Sequence, residues 1–394
     1  MSTPAAVDPR LRRAALGTGA VFALSGGLGA TWVARLPTVR DQLGTDTAAL
    51  GFALLCMGLG AILAMPFTGP LCARYGSRTT VTATALPAAV FLVALSLAPN
   101  VVVLAVLLLG MGACYGAWDV AMNIQGSYVE RAAGRPWMSR YHACWSVGSI
   151  AGAALGALAA WAGVGVTAQF VVVAALVAVG VLLALRTYVD ERAPGPLTGG
   201  TEPTGRFVNR RLVLLGLITF CGTCIEGAAA DWLGLHLADD FGATAAVAAL
   251  GYAVFATAMT VARFAGPLVL TALGRVRTLR VAGVVAGTGI LLAALAPTIP
   301  LALLGGAVWG LGVALVFPAA MSAGGETPGR SAAGIATVAT IGYGGFLLGP
   351  PLIGVLAHQV GLTRSLLVLV GLAAGIVLLA PAAQPASAGA TVDA

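Results

Sequence analysis

The chain has 394 residues, of which 59% are hydrophobic and only 9% are charged, and its mean hydropathy is +0.96. Because a soluble globular protein carries about 25% charged residues, this composition excludes a soluble fold and predicts an all-α membrane protein. The net charge of +7 does not indicate a nucleic-acid partner, because the chain has no lysine and its arginines lie between apolar segments.

Apolar segments follow one another along the chain, each near the roughly 20 residues that a helix needs to cross the hydrocarbon core. The alternating pattern typical of a membrane β-barrel is absent. The segments predict twelve spans, at residues 14–35, 48–68, 79–98, 101–124, 139–161, 166–185, 211–235, 245–270, 281–297, 301–321, 333–357 and 362–382.

The arginines predict the orientation of these spans. Nearly all of them fall on the side that carries both termini, which positive-inside bias makes the cytoplasmic side. We expect only Arg35, Arg40 and Arg364 in outer loops, and Arg263 within a span. No cleavable signal peptide is apparent, and the six cysteines fall in spans or at their cytoplasmic ends, where disulfides are not expected. The sequence thus predicts a multi-pass protein of the cytoplasmic membrane.

The two halves of the chain repeat one another. Trp32 and Trp232 match at an offset of 200, and Gly148 and Gly345 match at an offset of 197. Because each half holds six spans, an even number, the two copies enter the membrane with the same polarity and are parallel repeats. We expect a cytoplasmic tail at 1–13, six-helix bundles at 14–185 and 211–382, a cytoplasmic linker at 186–210 and a disordered tail at 383–394.

The loop between the second and third spans carries Gly69, Arg74, Gly76 and Arg78. This spacing resembles the Gly-x-x-x-Asp-Arg-x-Gly-x-Arg pattern of the major facilitator superfamily at the same place, with Ala73 here in place of the aspartate. The strings Trp118-Asp119-x-x-Met122-Asn123 and His142-x-x-x-Ser146-x-Gly148 are similar to its MosC-like branch. The resemblance implies a secondary transporter that works by alternating access, with spans one, four, seven and ten around a central cavity. The residues expected at its gates are Gly69, Arg74, Gly76, Arg78, Arg135, Arg263 and Arg330.

The candidate residues for binding substrate or protons are polar and aromatic groups inside the spans. Tyr115, Asp119 and Asn123 lie four residues apart and therefore share one helix face. Ionisable groups inside a membrane are costly and often functional, although each of these could instead be a packing residue, an interface anchor or a structural ion-pair partner. The full candidate set is Asp119, Asn123, Glu226, Asp231, His142, Trp145, Tyr115 and Tyr343.

The sequence also indicates which driving force to expect for transport. A phosphate-binding loop of the GxxxxGKS type is absent, so we expect the proton gradient to drive transport of a small polar solute, with sugars or polyols slightly favoured. Proton-driven export of a drug or small metabolite is the alternative. A membrane enzyme or a non-transporting sensor is a remote third, because there is no HExxH motif and no soluble domain. We expect a monomer that needs no cofactor and no metal.

Overall fold

The computed structural model describes residues 7–45, 47–192, 207–243 and 245–385. The predicted linker and carboxyl-terminal tail fall mostly outside these ranges. The helices are α1 (Pro9–Leu43), α2 (Thr47–Tyr75), α3 (Ser77–Leu95), α4 (Val101–Ala133), α5 (Met138–Trp161), α6 (Val166–Ala184), α7 (Arg210–Phe241), α8 (Ala245–Leu295), α9 (Ile299–Val313), α10 (Val316–Gly325), α11 (Ser331–Val360) and α12 (Leu362–Leu379). The described residues thus confirm the all-α prediction.

Eleven stretches of helix in the described residues are long and apolar enough to cross a membrane. One of them, Leu250–Leu295, has 46 residues, about 69 Å of helix and more than twice the thickness of the hydrocarbon core. It is broken at Gly274, where φ is +71° and ψ is 163°, a conformation that favours glycine. With this break α8 supplies the eighth and ninth predicted spans, which gives twelve in all.

One predicted boundary is wrong. The first span was expected to end at 35 and to be followed by an outer loop, but α1 continues to Leu43 and carries Arg35 and Arg40 within it. The tenth predicted span is present as one stretch, Ile299–Gly325, but it is interrupted between Val313 and Val316 and so forms α9 and α10. Charged and polar residues therefore continue α1 beyond its apolar stretch, whereas the residues at the interruption are apolar and give no signal of it.

The chain divides into two compact units, unit 1 (Met1–Arg206) and unit 2 (Phe207–Ala394). In unit 1, α1 packs mainly on α5, and α2 packs on α4. In unit 2 the same pattern recurs, because α7 packs on α11, and Phe255 in the part of α8 before Gly274 packs on Trp309 and Gly310 of α9. This shared pairing of first with fifth span and second with fourth is what the internal repeat in the sequence predicts. In each unit we call the end where its first helix begins the near end, and the opposite end the far end.

Candidate functional site

The polar residues of unit 1 are brought together by close contact between α1 and α5. A Cβ added at Gly148 would collide with the carbonyl group of Ala23, and one at Gly152 would collide with that of Gly27. Small residues of this kind let helix backbones approach closely in lipid, where van der Waals packing drives association. The glycine stripe of α5 therefore sets the distance at which its His142 and Trp145 meet α1 and α4.

Trp145 and Tyr115 form a hydrogen-bonded chain across three helices. The indole Nε1 of Trp145 donates to the Tyr115 hydroxyl oxygen (3.3 Å), and that hydroxyl donates to the carbonyl oxygen of Ser25 (3.1 Å). Both aromatic side chains are partly exposed. These hydrogen bonds fix the positions of two aromatic rings, each of which stays partly exposed.

A second polar pair lies two helical turns along α4. The side-chain amide of Asn123 donates to the Asp119 carbonyl oxygen (2.8 Å), and its Oδ1 lies 3.2 Å from Nε2 of His142. Because Oδ1 is an acceptor, His142 must carry a proton on Nε2 in this arrangement. Asn123 is fully buried, and Asp119 and His142 are nearly so. Five predicted candidates, Tyr115, Asp119, Asn123, His142 and Trp145, thus form one cluster in unit 1, which we call the unit 1 cluster.

Phe22 completes this cluster and was not predicted from the sequence. Its ring is fully buried and meets the His142 ring edge-on at a centroid distance of 5.1 Å, and it stacks on Tyr141 at 5.7 Å. A phenylalanine in an apolar helix gives no signal that separates it from lipid-facing neighbours. Only the contact between α1 and α5 identifies it.

In unit 2 the structure pairs two candidates that the sequence left apart. Nη2 of Arg263 lies 3.2 Å from Oε2 and 3.3 Å from Oε1 of Glu226. The Arg263 side chain is 4% exposed and that of Glu226 is 15% exposed, so the ion pair is shielded from solvent. Arg263 also donates from Nε to the carbonyl oxygen of Ala314 (3.4 Å), which lies at the break between α9 and α10. We call Glu226 and Arg263 the unit 2 ion pair, and Ala314 provides its carbonyl partner.

The remaining two binding candidates of unit 2 are Asp231 on α7 and Tyr343 on α11. Asp231 is exposed, and on α7 it lies five residues beyond Glu226. Tyr343 on α11 packs edge-on against Phe317 (6.1 Å) and Phe346 (5.9 Å). Tyr343 thus takes part in aromatic packing between α10 and α11.

Most of the predicted gating-loop residues of unit 1 lie on helices rather than in a loop. Gly69 and Arg74 are in α2, and Arg78 is in the first turn of α3. Of the four residues in this stretch, Gly76 alone lies outside a helix, with φ at +82°, because a turn of one residue between two helices requires a conformation that glycine adopts easily. Arg263 of unit 2, also predicted as a gating residue, lies within α8 and forms the ion pair with Glu226.

Glu191 supplies a carboxylate near the position where the family aspartate is replaced by Ala73. Its Oε1 accepts a hydrogen bond from the backbone N–H of Ser77 (2.5 Å), and its Oε2 accepts one from the Ser77 hydroxyl (3.1 Å). Arg192 beside it donates to the carbonyl oxygen of Arg74 (3.1 Å). The segment after α6 therefore caps the start of α3 and binds the end of α2.

Burial raises the pKa of the Glu191 carboxyl, and the hydrogen bonds from Ser77 only partly oppose this effect. The folded protein then holds more protons than the unfolded chain between the ordinary and the raised pKa. Stability should therefore fall as pH rises through that window. We expect Glu191→Gln, which removes this titration and keeps an acceptor for Ser77, to lose this slope. A scan of the thermal midpoint against pH measures it.

The control for this prediction is Glu191→Ala, which leaves the Ser77 N–H without its acceptor and should cost about 1–3 kcal/mol. Asp190→Asn should change the pH dependence of stability in the opposite direction, because bonding to Arg192 lowers the pKa of Asp190 and its contribution to stability therefore rises with pH. A Glu191→Gln protein with the slope of the wild type would show that the carboxylate at the start of α3 does not set this pH dependence.

The last two gating candidates lie in equivalent turns of the two units. Arg135 follows α4, and Arg330 precedes α11, where its guanidinium lies 4.9 Å from the centre of the Phe207 ring. In unit 2 this turn is tied to α8 by an ion pair between Arg275 and Glu326 (2.6 Å). Glu326 is not among the site residues predicted from the sequence.

The comparisons with known proteins agree with this architecture. The sequence profile of the Major Facilitator Superfamily matches residues 17–344. The chain is 38% identical over 371 residues to the uncharacterized transporter y4wD of Sinorhizobium fredii, covering 93% of this chain and 97% of that protein. It is 31% identical over 359 residues to the membrane protein MosC of Rhizobium meliloti, covering 91% of this chain and 86% of that protein.

Solved structures share the fold. The fucose:proton symporter FucP of E. coli superposes with a TM-score of 0.76 at 15% identity, over 95% of this chain and 98% of that one. The human organic anion transporter MFSD10 gives a TM-score of 0.78 at 15% identity, over 95% and 100%. The predicted resemblance, including that to MosC, is confirmed. The chain belongs to the Major Facilitator Superfamily and is a multi-pass secondary transporter rather than an enzyme.

Proposed function

We propose that this transporter couples the movement of a small polar solute, of the sugar or polyol class, to the movement of protons. It would lie in the cytoplasmic membrane with both termini inside and work by alternating access. The observation that carries the proposal is the unit 1 cluster. Hydrogen-bonding groups and partly exposed aromatic rings lie together in this cluster, although packing of an apolar helix bundle does not require them.

The chemistry of the unit 1 cluster suits a hydroxylated solute. Binding sites for small molecules combine apolar and aromatic walls with a few convergent polar groups. Trp145 offers an apolar ring face with a polar edge, and Asn123 and His142 offer donor and acceptor atoms. Asp119, on the same face of α4, is proposed to accept hydrogen bonds from solute hydroxyls or to take up a proton.

The unit 2 ion pair is proposed as the proton-dependent element. Glu226 and Arg263 are mutually neutralised in a region of low polarity, where either charge alone is costly. In this proposal Glu226 binds a proton in one state of the transport cycle and is ion-paired with Arg263 in the other. A carboxylate that alternates in this way would link solute movement to movement of one proton.

A thermal-stability screen of the purified protein against sugars, polyols, amino acids and drugs tests the solute class, because a ligand stabilises the state that it binds. We expect sugars or polyols to raise the midpoint of the wild type. Trp145→Phe should reduce that rise, because it removes the donor to Tyr115 and part of the ring face. The matched control is Trp161→Phe, since Trp161 is 85% exposed at the far end of α5. A rise with drugs alone would favour the export alternative and contradict this proposal.

A further inference from the structure

The far end of unit 1 contains buried polar groups that the transport proposal does not use. Arg35 on α1 is only 3% exposed, and Gln169 on α6 is 7% exposed. Nη2 of Arg35 donates to the carbonyl oxygen of Val164 in the turn between α5 and α6. Among the described residues, Nε of Arg35 and both amide atoms of Gln169 have no hydrogen-bond partner. The sequence had placed Arg35 in an outer loop, where such burial is not expected.

The charge of Arg35 is not balanced by a carboxylate in the part of the chain that the structure describes. A buried guanidinium without an anionic partner is costly. The neighbouring Arg40 differs, because it pairs with Asp41 at 2.8 Å. The guanidinium of Arg35 therefore has an N–H donor without an acceptor within the described ranges, in a buried region where few acceptor groups are available.

The start of α6 adds further donors at the same place. Its first helical residue is Val166, and Gly165 provides no side-chain cap, so the first N–H groups of the helix lack intrahelical acceptors. They also form the positive end of the helix dipole. The carbonyl that Arg35 binds belongs to Val164, two residues before the helix begins. A buried arginine and a helix amino terminus thus meet at one point.

We propose that this point binds a phosphate group, held by Arg35 and the first N–H groups of α6. Arginine and a helix amino terminus both favour phosphate, by charge-assisted hydrogen bonds and by the dipole. Trp161 ends α5 at the same turn and is 85% exposed, as is typical of a tryptophan at the membrane interface. The phosphate comes from the headgroup of an anionic lipid or from free phosphate, and both present the same oxygens.

Thermal midpoints of the delipidated full-length protein, measured at constant ionic strength, test this site. The probes are inorganic phosphate, short-chain phosphatidic acid and, as a neutral control, short-chain diacylglycerol. We expect phosphatidic acid to raise the midpoint and diacylglycerol to have no effect. A matching rise with inorganic phosphate identifies free phosphate as a ligand, and its absence identifies the lipid headgroup. Bound phosphorus is counted in the same samples, so that lipid retained through purification is detected.

Arg35→Gln should abolish both the rise and the bound phosphorus, whereas Arg40→Gln should keep them. Should Arg35→Gln fail to fold, Gly165→Asp and Gly165→Asn decide the question. Both suit a helix N-cap, and a Cβ at Gly165 meets no atom within 4 Å, but only aspartate brings a negative charge to the site. We expect Asp to abolish the phosphate response and Asn to weaken it far less. A wild type with neither bound phosphorus nor a response, or a response retained in Arg35→Gln or Gly165→Asp, would overturn the proposal.

Discussion

Proteoliposomes that contain Glu226→Gln protein are expected to lose proton-driven accumulation of the solute and to keep solute exchange down its gradient. Glutamine retains the size of glutamate and an oxygen for Arg263, but it cannot alternate between charged and neutral states. The unit 2 ion pair would then remain in a single electrostatic state, and movement of the solute would no longer be linked to movement of a proton. Counterflow and pH-driven uptake, measured on the same vesicles, separate the two activities.

Stability measurements on the same position check the ion pair itself. Glu226→Ala leaves Arg263 buried without its anionic partner, which should cost about 3–5 kcal/mol of folding free energy. Removing both charges in Glu226→Gln/Arg263→Gln should restore much of that stability without restoring coupling. The matched control is Asp231→Asn on the same helix, where the residue is more exposed than Glu226 and a smaller effect is expected. Equal losses at Glu226 and Asp231 would contradict the role given to the pair.

Gly148→Ala is expected to be among the most damaging additions of a single methyl group in unit 1. The added Cβ would overlap the Ala23 carbonyl group, and a backbone atom cannot move aside as a flexible side chain can. Overpacking of this kind costs about 1–3 kcal/mol, and the backbone contact places this change at the upper end. Because the same contact positions Trp145 and His142, solute binding should weaken together with stability. Thermal midpoint and ligand-induced shift are the measurements.

Gly371→Ala is the control for this substitution. Gly371 lies inside α12, and a Cβ there meets no atom within 4 Å. Alanine has a higher helix propensity than glycine by roughly 1 kcal/mol, so this variant should be as stable as the wild type or more so. If Gly148→Ala behaved like Gly371→Ala, close packing of α1 on α5 could not be what organises the unit 1 cluster.

The sequence predicted the helices well because apolar length alone decides where a membrane is crossed. It placed the end of α1 too early, because its last turns carry Arg35 and Arg40 and no longer read as apolar. The residues of the unit 1 cluster could be grouped within each helix by their spacing. The pairs between α4 and α5, Tyr115 with Trp145 and Asn123 with His142, depend on the glycine contacts of α5, which spacing within one helix does not specify.

The unit 2 ion pair shows why the depth of a residue along its helix does not by itself predict which side chains pair between helices. Glu226 lies 16 residues from the first residue of α7, and Arg263 lies 11 residues from the break at Gly274, so their backbones differ in depth by about 8 Å. Helix side chains lean toward the amino terminus of their own helix. Since α7 and α8 run in opposite directions, the two side chains lean toward each other and close that distance.

The central claim, that solute movement is linked to proton movement, is tested most directly by the pH inside proteoliposomes without ATP. A pH-sensitive dye in the lumen reports proton flux when a sugar or polyol identified in the stability screen is added outside. We predict a change of luminal pH that requires both the solute and the wild-type protein and that is absent with Glu226→Gln. Uptake of labelled solute by the wild type with no change of luminal pH would contradict the account.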